Sequence, residues 1–266
     1  MIKILSIASF LFFGFILSDS KFTFIKSIPT SSKNFTTDNL GNIYLLNGNS
    51  LDKYDSEGTL LKTYSNKNLG SISGVDAANP LKIFLFYESF QQVIILDNML
   101  APSSDPVSLE TLGFNQTSLV CSSHNNGMWI YNKQNFELVR LDQNFQQTNK
   151  TENITRQTLS EVNPDFLIEQ NNNIFLNDSA KGIIVFDIYG TYNKTIPIKG
   201  LTHFQISNEE LIYFKGGKMK SYNMKTLSEE EINLPTTEIF DARTEKEKLY
   251  LLKQKSLDIY HVKNEK

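Results

Sequence analysis

Apolar positions in this chain come in short runs with an aromatic residue at the middle, each followed by a turn and a second run that ends on a polar residue. The first runs are NIYLL (42–46), KIFLF (82–86), GMWIY (127–131), NIFLN (173–177), LIYFK (211–215) and KLYLL (248–252). Their central residues are Tyr44, Phe84, Trp129, Phe175, Tyr213 and Tyr250, spaced by 40, 45, 46, 38 and 37 residues. The second runs close on Asp55, Asp97, Asp142, Asp187, Asn223 and His261. Runs this short, rich in Ile, Val, Phe and Tyr and broken by turn residues, predict strands rather than helices. Gly216-Gly217 and Gly48-Asn49 supply tight hairpin tips, where a left-handed backbone costs little.

A third strand follows the polar closer in most units, as in GTLLKTY and TYNKTIPI. A preceding strand shows in SISGVDA, TSLVCSS, DFLIEQ, LTHFQIS and EIFDAR. Four strands recurring every 37 to 46 residues are the signature of a propeller blade. The expected architecture is therefore all-β: a six-bladed β-propeller of four-stranded antiparallel blades, with residues 21–266 as a single domain. Closure gives an independent check. The last unit has three strands before the chain ends, whereas KFTFIKSIPT at 21–30 is a strand without a hairpin partner. Pairing the two removes two open edges and shuts the ring.

The Asp-x-x-Gly-Asn-Ile-Tyr of Asp38 to Tyr44 and the Tyr-Asp-x-x-Gly of Tyr54 to Gly58 resemble the six-bladed propellers of the NHL and TolB-like type. The rhythm covers residues 22–263. Asn223 and His261 depart from it by replacing the closing Asp. The resemblance implies an architecture and no particular activity.

The N-terminus adds a compartment. Lys3 precedes an apolar stretch from Ile4 to Leu17, and Ser18 and Ser20 provide small residues for cleavage. Residues 1–20 read as a signal peptide, the alternative being an uncleaved anchor. No later apolar run is long enough to span a membrane. The single cysteine, Cys121, leaves an exported chain without an internal disulfide. The Asn- and Lys-rich, Arg-poor usage resembles an AT-rich bacterial genome, so the expected location is the periplasm or outer envelope, with an envelope protein as partner. Formal charge is −3, and Arg occurs only at positions 140, 156 and 243, which argues against nucleic acid.

Candidate chemistry is sparse. The closing Asp residues fall at turns, where Asp accepts bonds from nearby backbone N–H groups. Polar residues on the innermost strands are Asp76, His124, Asn163, Asp165, His203 and Asp241. Of these, Asp76, Asn163, His203 and Asp241 are the candidates for binding a ligand or hard cation at the channel mouth. No Gly-x-Ser-x-Gly, phosphate-cradling loop, His-Glu-x-x-His or Cys-x-x-Cys occurs, and no cofactor is required by the sequence. Cys121 reads as a buried small residue. The aromatic turn at Phe86, Tyr87 and Phe90 is the candidate partner contact. The polar stretch Asp142 to Pro164 is expected to be a disordered insertion.

These features favour a secreted, non-catalytic protein-binding or scaffold propeller. The alternative is a metal-dependent hydrolase or lactonase acting on a small ester or sugar derivative. Carbohydrate binding through exposed aromatics is a third reading.

Overall fold

A computed structural model describes residues 21–263. The expected signal segment lies outside the described residues. Six four-stranded antiparallel sheets form the six blades. Blade 1 comprises Asn34–Thr37, Ile43–Asn47, Ser50–Tyr54 and Leu60–Ser65. Blade 2 comprises Gly74–Asp76, Ile83–Tyr87, Gln92–Leu96 and Val107–Ser108. Blade 3 runs Thr117–Ser122, Met128–Asn132, Glu137–Leu141 and Gln147–Lys150; blade 4 runs Phe166–Gln170, Asn173–Asp178, Gly182–Asp187 and Tyr192–Ile196. Blade 5 holds Gln205–Ser207, Glu210–Lys215, Lys218–Asn223 and Glu229–Ile232. Blade 6 takes Asp241–Glu245, Lys248–Leu252 and Ser256–Val262 from the C-terminal end, and Phe22–Pro29 from the N-terminal end as its outer strand.

That last pairing closes the ring. It runs from Phe22 opposite Val262 to Pro29 opposite Ser256, with an irregularity between Phe24 and Lys26. Ser27 Oγ donates to Asp258 Oδ1 at 2.6 Å across it.

The core is a set of six wedges between successive blades. Because strand side chains alternate, each middle strand feeds two wedges. Ile83, Leu85 and Tyr87 pack toward blade 1, and Phe84 and Phe86 toward blade 3. Both faces of a blade are thus buried, which is why the middle strands read as continuous apolar runs rather than alternating ones. All six central aromatics are buried, filling the gap between twisted sheets with large flat side chains.

The stretch from Asp142 to Pro164 departs from the expected disordered insertion. It contains the outer strand of blade 3 and a helical turn, Ile154–Gln157, capped by Asn153 Oδ1 accepting from Arg156 N at 3.0 Å. Ile154 and Val162 are buried in the wedge between blades 3 and 4. Two apolar residues within a polar stretch are enough to anchor it.

Candidate functional site

Innermost strands in a closed ring run in the same sense along its axis, so their N-terminal ends share one face and their C-terminal ends the other. Between them lies an axial cavity lined by Thr36 and Thr37 of blade 1, Gly74 to Asp76 of blade 2 and Ser118 to Val120 of blade 3. Asp165 and Phe166 to Ile168 at blade 4 and Arg243 of blade 6 add to the wall.

This direction separates the four candidate ligands. Asp76 ends its strand, on the face of the C-terminal ends. Its Oδ2 accepts from Ser122 N at 2.6 Å and from Ser122 Oγ at 2.8 Å, joining blade 2 to blade 3. Asp241 begins its strand and lies at the opposite end of the axis. There His203 Nε2 sits 2.9 Å from Asp241 Oδ1, while His203 Nδ1 is 3.1 Å from Thr202 Oγ1. Asn163 is on that same face, its backbone N donating to Asp178 Oδ2 at 2.8 Å. Asp165 accepts from Asn177 Nδ2 at 2.5 Å, and burial pushes its carboxyl above the usual range. The structure thus brings His203 and Asp241 together and places Asp76 apart from them. Among the described residues no group of three or more His, Cys, Asp or Glu side chains could share a metal ion.

The densest polar cluster involves a residue that sequence reading passed over. Glu169 of blade 4 accepts from Ser123 Oγ at 2.6 Å, His124 N at 2.9 Å and Trp129 Nε1 at 2.7 Å, all from blade 3. His124 Nδ1 lies 2.9 Å from Glu169 Oε1. Burial acts to raise this carboxyl, but the bonds from Ser123, His124 and Trp129 outweigh it and hold Glu169 below its ordinary value. Behind it, Arg140 donates from Nε to Ser123 Oγ at 2.9 Å, from Nη1 to Thr148 Oγ1 at 3.0 Å and from Nη2 to His124 O at 2.6 Å. Carboxamide clasps do the same work elsewhere. Gln91 Nε2 donates to Thr117 O, and Gln205 Nε2 to Thr244 O, both at 2.8 Å. Each carboxamide oxygen accepts from the same partner's backbone N–H.

The Asp76, Glu169 and His203 pairs share a sequence signal. Asp76–Ser122 and Ser123–Glu169 are both 46 residues apart, and His203–Asp241 38. Each of these separations is one blade period, as is the 39 of Gln205–Thr244, whereas Gln91 reaches Thr117 over 26 residues from the far end of its blade's second strand.

The turn reading of the closing Asp residues holds. Asp55 Oδ1 accepts from Glu57 N and Thr59 N, Asp97 Oδ1 from Met99 N and Ala101 N, and Asp142 Oδ1 from Asn144 N and Gln146 N. Asp187 repeats the pattern, and Asn223 makes a close variant of it.

The aromatic turn divides. Phe86 and Tyr87 are buried, because the middle strand runs through Tyr87 and commits both side chains to wedges. Phe90, in the short helical turn Glu88–Phe90, is 46% exposed. Lys133 Nζ pairs with Glu88 Oε1 at 3.0 Å and ties this turn to the corresponding one in blade 3, where Phe136 is exposed. Ile154 N donates to Phe136 O at 2.8 Å, and the segment leading on from it bears Leu159, 91% exposed. All three residues belong to the face of the N-terminal ends.

No protein-family profile matches the sequence, and no curated protein matches it. Solved structures do. The WD40 domain of Neurospora crassa Pan2 is similar over 92% of this chain and 96% of its own, at 8% identity and a TM-score of 0.64. Staphylococcus aureus virginiamycin B lyase, in a catalytically inactive form with quinupristin, matches over 86% and 80%, at 14% identity and 0.57. An extracellular domain from B. thetaiotaomicron matches over 88% of this chain and 34% of its own, at 9% identity and 0.55. At these identities the likeness shows the propeller fold, and that fold carries both non-catalytic domains and enzymes.

Proposed function

We propose that this protein is an exported, non-catalytic propeller that binds another envelope protein as a scaffold. The observation that carries this reading is the placement of Phe90, Phe136 and Leu159. Three exposed apolar side chains occupy one face across blades 2 and 3 and the approach to blade 4, while Asp76, His203, Asp241 and Glu169 are engaged in clasps between blades. Exposed apolar residues on neighbouring turns favour contact with a partner. Export rests on the apolar N-terminal stretch. It agrees with the extracellular-domain neighbour, and no helix among the described residues is long and apolar enough to cross a membrane.

The test is affinity capture from solubilised envelopes of the native host, comparing the wild type with Phe90→Ser/Phe136→Ser. Both residues are surface-facing, so the double variant should fold. A stoichiometric protein partner held by the wild type and lost by the variant is the expected result. Equal capture by both would remove this face from the proposal, and no partner with either would remove the scaffold role.

A further inference from the structure

Two buried arginines in this protein are treated in opposite ways. Arg140, 5% exposed, has a hydrogen-bond acceptor for each of its three guanidinium nitrogens. Arg243, 8% exposed, has one long contact among the described residues, from Nε to Thr37 Oγ1 at 3.4 Å. Among the described residues no carboxylate forms an ion pair with it. Asp241, two residues before, is already engaged by His203 Nε2 and by Ala242 N. Burial works against the charge of Arg243, while Asp241 and Glu245 favour it at longer range. A guanidinium stays protonated and offers five donors; leaving most of them without acceptors in a buried site is costly.

Arg243 and Thr37 line the axial cavity. Ser118 lines it too, and its Oγ is buried without a partner among the described residues. The remaining wall is largely apolar, with Val75, Leu119, Val120, Phe166 and Ile168. Asp76 and Asp165 belong to opposite ends of the innermost strands and line the same cavity. Unmet donors against an apolar wall are the features of a small-ligand site.

We propose that the axial cavity binds a small monocarboxylate with an apolar body, its carboxylate paired with the Arg243 guanidinium and its body against the apolar wall. A planar carboxylate matches the guanidinium fork. The negative charges of Asp76 and Asp165 disfavour a ligand of higher charge such as phosphate, and the apolar wall disfavours a bare anion. The site is independent of the exposed face around Phe90, so either proposal can fail without the other.

The experiment is calorimetric titration of the full chain with hexanoate, with hexanamide and inorganic phosphate as comparisons. Saturable hexanoate binding is expected, with hexanamide weaker by about tenfold or more, the loss of a charge-assisted pair, and no heat from phosphate. Arg243→Lys keeps the charge but not the fork, and should weaken hexanoate by about tenfold. Absence of saturable hexanoate binding would overturn the proposal, as would equal affinity for hexanamide. Phosphate binding as tight as hexanoate would reassign the site to a general anion. The comparison of hexanoate with hexanamide uses the wild-type protein, so it decides the question even if Arg243→Lys does not fold.

Discussion

Trp129 Nε1 donates to Glu169 Oε2 at 2.7 Å, so the central aromatic of blade 3 is bonded to the innermost strand of blade 4. The ring Nε1–H would otherwise be buried without an acceptor. Glu169 in turn takes Ser123 and the His124 backbone, so one carboxylate fixes the angle between two blades.

This arrangement sets an acid limit. Glu169 is held below its ordinary value of 4.5, so it contributes stability that is fully present above that value. The contribution is lost as pH falls through the depressed folded value. Glu169→Gln should destabilise the protein by about 2–3 kcal/mol near neutral pH. Its melting temperature should also fall less steeply than that of the wild type between about pH 5 and pH 3. Parallel melting curves across that range would show that another group governs acid unfolding.

The ring seam gives a steric prediction. Gly58 has φ +77°, and a Cβ there would lie 2.9 Å from Ile259 Cδ1 and 3.2 Å from Ile28 Cγ1. Those two residues come from the two ends of the chain that meet in blade 6. Gly58→Ala therefore combines left-handed strain with overpacking and should cost about 2–3 kcal/mol in urea unfolding. Gly48 is the matched control: its φ is +63°, with nothing within 4 Å of an added Cβ. The difference between the two substitutions isolates the seam contact.

Cys121 lies wholly buried in the wedge between blades 3 and 4. Burial pushes its thiol well above the usual range, with Asp76 and Glu169 acting in the same direction. The expected outcome is no reaction with a thiol-exchange reagent in buffer and one equivalent in denaturant. Rapid modification of the folded protein would mean that the wedge opens locally.

The pairing of the chain ends was legible from Phe22 to Pro29, because an unpartnered strand and a three-stranded last unit leave complementary edges. The turn role of Asp55, Asp97, Asp142 and Asp187 was legible because it is local: each carboxylate bonds to backbone two and four residues on. Phe86 and Tyr87 were harder, since an apolar residue near a turn reads alike at the end of a strand and at an exposed tip. One more residue of strand commits Tyr87 to the core. The order within 142–164 was masked in the same way, because Ile154 and Val162 reveal their worth only once blades 3 and 4 stand on either side.

The sequence by itself determined the blade count, the four-strand unit and the closure, since these follow from periodicity and local turn chemistry along a single chain. Only the tertiary structure decided which polar residues meet. Asp76 and Asp241 look equivalent in a list of innermost-strand residues, yet one ends its strand and the other begins it, and strand direction sends them to opposite ends of the axis. Arg140 and Arg243 are likewise indistinguishable as letters. What separates them is where the acceptors stand: Arg140 finds Ser123, His124 and Thr148 around it within the folded sheet of its own blade, whereas Arg243 lines the axial cavity and reaches only Thr37 of the next blade.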